Sequence, residues 1–173
     1  MKELRNNNLF KKVTSLTPVI LLFFSVLNDF DFNYLGIKYF SFNFSYILIF
    51  YYSLKKSESL GYVLIFVAGL FNDVVIGTPI GISSLAFLLL CGAATYLRNI
   101  TLRPNIIKDW IFFLLSILVI NSLSFIILNL IFNYKIIYLD QLINTGFTFV
   151  FYLFFSYFFY FFEKFFLGNL NAR

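Results

Sequence analysis

One carboxylate stands inside an apolar run where it has chemistry to do. Asp73 closes the stretch Gly69-Leu70-Phe71-Asn72-Asp73 and is followed by Gly77-Thr78-Pro79-Ile80-Gly81. Gly69, Asp73 and Gly77 recur every four residues, so on a helix they share one face. A carboxylate at the centre of a membrane helix costs about 2.5–3.5 kcal/mol, so Asp73 is expected to meet protein, a cavity or the interface rather than lipid. Three chemistries are open to it. It can cap a hairpin, accepting hydrogen bonds from the turn and from the free N–H groups that start the next helix. It can anchor a partner helix, with Asn72 adding donors and acceptors and the small-residue stripe allowing close approach. It can also act as an ion or proton site, which needs a second embedded titratable group, and Asp29 is the candidate the sequence offers.

The rest of the composition narrows the chemistry further. The 173 residues include no histidine, one cysteine (Cys91) and eight carboxylates, so metal cages, thiol redox pairs and histidine acid–base catalysis lack raw material. Neither a metal nor a cofactor is expected. Gly77 to Gly81 do not form a phosphate loop, because the Lys and hydroxyl residue that such a loop requires do not follow. The formal charge of +5 sits in short clusters between apolar runs, a pattern that argues for membrane topology and against nucleic acid.

Hydrophobic residues make up 61% of the chain, charged residues 12%, and the mean hydropathy is +0.87, which places the chain among integral membrane proteins. Its 27 Phe and 12 Tyr are encoded by A- and T-rich codons, so aromatic runs by themselves carry little functional weight. The elements that position Asp73 are expected to be six membrane helices in a single all-α domain, over about residues 13–28, 39–54, 60–76, 80–97, 110–132 and 141–162. The first is read as an uncleaved span, since no small-x-small cleavage site follows it. The second is interrupted by Ser41, Asn43 and Ser45. Ser57 or Ser59 is expected to cap the third, Thr78 with Pro79 at the first helical position to start the fourth, and Asp140 to cap the sixth.

Six crossings put eleven of the thirteen Lys and Arg on one side, with only Lys38 and Lys135 on the other. By the positive-inside rule both termini are then cytoplasmic. A five-span reading breaks this alternation.

Other polar positions inside the runs read first as glue between helices. Ser84, Leu88, Cys91 or Gly92, and Thr95 fall on one side of the fourth run, where close packing against the third is expected and Cys91 acts as a small buried hydrophobe. Asn121, Ser124 and Leu128 share a face of the fifth. Trp110 beside Asp109 reads as an interfacial anchor. The sixth run is aromatic around its whole circumference, with no face singled out.

The glycine–carboxylate pattern Gly69…Asp73, the turn Gly77-Thr78-Pro79-Ile80-Gly81, and Ser84-Leu85-Ala86 beyond it resemble the signature region of MreD, the rod shape-determining membrane protein family of bacteria. The specific part of the resemblance covers about residues 61–90. It implies a non-enzymatic, multi-pass protein of the bacterial inner membrane. Such a protein binds membrane lipid and an MreC-like single-span protein. With MreB filaments, RodZ, RodA and a penicillin-binding transpeptidase, it positions peptidoglycan synthesis along the side wall. The contact candidates that follow are Gly69, Asn72, Asp73, Gly77, Pro79 and Gly81. The family is also similar in fold to the substrate-binding subunits of energy-coupling-factor vitamin transporters, which implies the rival function. A small-ligand site needs several convergent polar groups, for which the chain offers Asp73, Asn72, Asn28, Asn121 and Asn144 without matching cations.

Overall fold

The computed structural model describes residues 16–27, 41–55, 60–101, 105–133 and 138–171. They form six helices and no strand: α1 (Leu16–Leu27), α2 (Phe44–Lys55), α3 (Tyr62–Ile76), α4 (Ile82–Ile100), α5 (Ile106–Phe132) and α6 (Tyr138–Asn171). The expected all-helical bundle is present. Three helices, α4, α5 and α6 as far as Phe162, are long and apolar enough to cross a membrane. Among the described residues, six full-length spans are therefore not supported. α1 and α2 have 12 residues each and α3 has 15. At 1.5 Å per residue these reach about 18–23 Å, short of a hydrocarbon core of about 30 Å.

The element that read as most polar is the most enclosed. Every residue of α2 from Ser45 to Leu54 is buried, and Ile47, Leu48, Ile49 and Phe50 are wholly so. The polar residues that seemed to interrupt this run lie at its start. The Asn43 side-chain oxygen accepts from the backbone N–H of Tyr46 at 3.2 Å, which makes Asn43 the cap and starts the helix at Phe44 instead of residue 39. Ser45 bonds the Ser25 hydroxyl of α1. With both hydroxyls paired, the remaining apolar surface of α2 can be enclosed on all sides by α4, α6 and their neighbours.

α3 and α4 form the tightest pair. Gly69 lies against Ser84, and the Ser84 hydroxyl donates to the Phe66 carbonyl at 3.0 Å. α5 packs on α4, and α6 packs on both α5 and α2. α6 does have a buried face, contrary to the reading of its sequence. Thr145, Thr148, Tyr152, Ser156 and Phe159 are buried at helical spacing. Tyr152 stacks on Phe113 and Phe155 meets Phe44, both at 4.7 Å or closer. Outside this core the bundle shows apolar side chains, with Val63, Val74, Val119, Leu130 and Phe161 each 67% exposed or more. Such a surface suits lipid and not water.

Consecutive helices alternate in direction, so the bundle has two chemically distinct ends. At one, Lys55 reaches Asp109 at 3.9 Å and Arg98 donates to the Ser53 carbonyl at 3.3 Å. Of the four described cations, Lys55, Arg98 and Lys108 lie in the terminal turns of α2, α4 and α5 at this end, and Lys164 lies in the last third of α6, which runs toward it. The opposite end holds the α3–α4 turn and the starts of α2 and α6.

Candidate functional site

The α3–α4 turn is organised by Asp73, whose side chain is completely buried. One carboxylate oxygen accepts from the Gly81 N–H at 2.7 Å. The other accepts from the Ser83 N–H at 2.9 Å and from the Thr78 hydroxyl at 3.0 Å. Its backbone carbonyl receives the N–H groups of Gly77 and Thr78 at 2.9 and 3.0 Å. A single residue of α3 thus closes its own helix and satisfies N–H donors at the start of the next one, where the helix dipole favours a negative group. Of the three chemistries open to Asp73, capping is the one whose hydrogen bonds are present.

The turn departs from the sequence reading in one respect. Thr78 and Pro79 do not begin α4. Gly81, at φ 106°, holds the N-cap position without a side-chain cap, and α4 begins at Ile82. The Thr78 hydroxyl is turned back onto Asp73, and the capping oxygen comes from across the hairpin. Gly77 ends α3 at φ 77°, in the left-handed region that glycine enters without a Cβ penalty. A side chain at Gly77 or Gly81 would meet nothing within 4 Å, so these positions are set by backbone conformation. Gly69 is different. A Cβ there would lie 2.4 Å from the Ser84 Cα and 2.6 Å from its nitrogen, so the close approach of α3 and α4 depends on it. Asn72 spans the same pair, donating to the Ser83 hydroxyl at 2.9 Å. Gly69, Asn72, Asp73 and Gly81 are thereby gathered on α4 of the same chain.

Other expected positions scatter. Cys91 is buried and receives the Ser53 hydroxyl at 3.2 Å, while Gly92 is exposed and takes no part in packing. Asp109 is buried beside Lys55, and the Trp110 ring lies flat on Phe149 at 4.4 Å with its N–H donated to the Phe149 carbonyl at 2.9 Å. α3 starts after Gly61, not after a serine cap, and α6 starts at Tyr138, with Asp140 inside its first turn instead of capping it. Asn28, Asp29, Ser57, Ser59, Lys38 and Lys135 lie outside the described residues.

Three of the polar residues that the sequence offers for a small-ligand site, Asn72, Asn121 and Asn144, do come together. Beside the hairpin, α2, α3, α4, α5 and α6 line an open cleft of about 480 Å3. Asn43, Asn72, Asn121, Asp140, Gln141 and Asn144 contribute to its wall. Gln141, Asn144, Thr145 and Thr148 recur at helical spacing, and that polar stripe is the signal the aromatic residues around it hide. Among the described residues no group of three or more His, Cys, Asp or Glu could hold a metal ion. No protein-family model matches the chain, no curated protein does, and neither does any solved structure.

Proposed function

We propose that this chain is a six-pass scaffold of the bacterial inner membrane, with both termini cytoplasmic, that works without catalysis in rod-shape elongation. In this reading it binds an MreC-like single-span protein and helps to position side-wall peptidoglycan synthesis. The observation that carries it is the use of the embedded polar groups. Asp73, Asn72, Ser84, Asn121 and Ser53 are engaged in bonds between or within helices, as adhesion requires. The gathering of described cations at one end supports an orientation with that end in the cytoplasm. The motif of residues 69–81 supports the family assignment. Because α4 covers the Gly69/Asp73 face, the partner docks on the outward apolar faces instead. Affinity purification of the full chain in mild detergent tests this. An MreC-like protein is expected to come with it, and recovery of the chain alone contradicts the reading.

The cleft favours a second reading, a substrate-binding subunit of a vitamin-type transporter. That reading predicts tight, saturable thermal stabilisation by a vitamin-like compound.

A further inference from the structure

The cleft runs in from the end of the bundle opposite the described cations, and its depth sets its wall against the lipid around it. α5 has 27 residues and spans about 40 Å, roughly 10 Å more than the hydrocarbon core. Ser124 and Asn121, both in the wall, lie about 12 and 16 Å along α5 from its end at Phe132. Even with the whole excess on this side, both stand below the hydrocarbon surface. Lipid cannot satisfy such a wall. Tyr46 and Ser124 are only 8% and 9% exposed, yet both hydroxyls open on the cleft and neither has a hydrogen-bond partner among the described residues. The Asn43 oxygen is taken by the Tyr46 N–H, while its NH2 is bonded to no described group. Asn72 and Asn121 each commit one N–H, to Ser83 and Thr145, and keep the second N–H and the carbonyl oxygen. Donors and acceptors are both left over, so the wall selects no charge.

We infer that the cleft is a water-filled vestibule that admits water and small hydrophilic solutes below the membrane surface. An acyl chain in the same place would strip hydrogen-bond partners from these hydroxyls and carboxamides and return none, which hydrocarbon does not tolerate. Water donates and accepts at once, and about 480 Å3 is far more than the roughly 10–15 Å3 that one water needs. Ile76, Ile82, Ala86 and Leu128 share the wall, but wetting them costs less than leaving its polar groups without partners. The short helices point the same way. α2 starts and α3 ends at the cleft, and at about 18 and 23 Å both fall short of the hydrocarbon thickness, so their backbone ends need the water it brings. The inference goes beyond the scaffold reading: it rests on insertion in the membrane, which that reading shares, and is indifferent to the partner.

The test is thiol modification of the full chain in phosphatidylcholine nanodiscs, in a Cys91→Ala background, by the trimethylammonium and the sulfonate forms of ethyl methanethiosulfonate. A nanodisc exposes both faces, so the result does not depend on orientation. Ser124→Cys keeps the shape of the side chain and loses no hydrogen bond to a described group. Leu123→Cys, one residue away at the same depth, stands outside the cleft at a position that is 39% exposed. Ser124→Cys is expected to react about tenfold faster or more than Leu123→Cys with both reagents, because the reactive thiolate forms in water and not in lipid. Asn121→Cys, deeper in the wall, is expected to follow Ser124→Cys and carries the test if that variant does not fold. Cleft thiols as slow as Leu123→Cys would overturn the inference, by showing lipid or the chain itself in the cleft. Reaction with one reagent alone would also overturn it, in favour of a charge-selective site. Fast reaction of all three thiols would overturn it together with the membrane insertion of α5, whereas failure to capture a partner would leave it standing.

Discussion

Asp73 accepts three hydrogen bonds through a buried carboxylate, two from backbone N–H groups that have no other partner in the helix start. Asp73→Asn keeps the shape but turns an NH2 toward one set of these donors. It is expected to destabilise the chain by about 2–3 kcal/mol, the worth of hydrogen bonds to a charged group, read as a fall in melting temperature in detergent. Thr78→Val removes one hydroxyl donor and is expected to cost about 1 kcal/mol. If Asp73 served an ion or proton path instead, Asp73→Asn would leave the melting temperature nearly unchanged. The carboxylate's importance was legible from its setting among glycines in an apolar run. Its partners at Gly81 and Ser83 were less so, because local rules credit a helix start to the nearest preceding hydroxyl, here Thr78, whereas the oxygen arrives from the previous helix.

At the scale of the helix, Gly69 and Gly92 form a matched pair. Both interrupt apolar helices, yet a Cβ at Gly69 collides with the Ser84 backbone while one at Gly92 meets nothing within 4 Å. Gly69→Ala is expected to force α3 and α4 apart and to cost about 1–3 kcal/mol as an overpacked contact. Gly92→Ala is expected to be neutral or mildly stabilising. Equal melting temperatures for the two variants would show that α3 and α4 are not in close contact. α6 joins α2 through Thr148, whose hydroxyl accepts the Asn43 N–H at 2.9 Å and donates to the Asn144 carbonyl at 2.7 Å. Thr148→Val leaves the Asn43 N–H unpaired and is expected to cost about 1–3 kcal/mol. The existence and order of the helices were readable from the apolar runs. The central place of α2 was not, because Ser41, Asn43 and Ser45 lower the apparent hydropathy of a segment whose polar side chains find partners at Asn144, Tyr46 and Ser25. The buried face of α6 was masked for the opposite reason: Phe and Tyr surround the Thr145, Thr148, Tyr152 and Ser156 stripe, so no contrast in polarity marks it.

Over the whole molecule, two ends of unlike chemistry result from the same alternation of helices. One carries the described cations and the Lys55–Asp109 pair. The other carries the Asp73 turn and a cleft whose wall draws side chains from five helices. No single segment announces such a cleft, since each helix contributes only one to three of its polar groups. The orientation of these ends is open to a direct measurement. In a Cys91→Ala background, single cysteines at Ile80, which is 73% exposed in the α3–α4 turn, and at Lys108, exposed at the start of α5, are labelled in intact cells with a membrane-impermeant maleimide. The account predicts that Ile80→Cys reacts from outside and that Lys108→Cys reacts only after permeabilisation. Labelling of both from the same side, or of Lys108→Cys alone in intact cells, would contradict a bundle inserted in the membrane with its cationic end toward the cytoplasm.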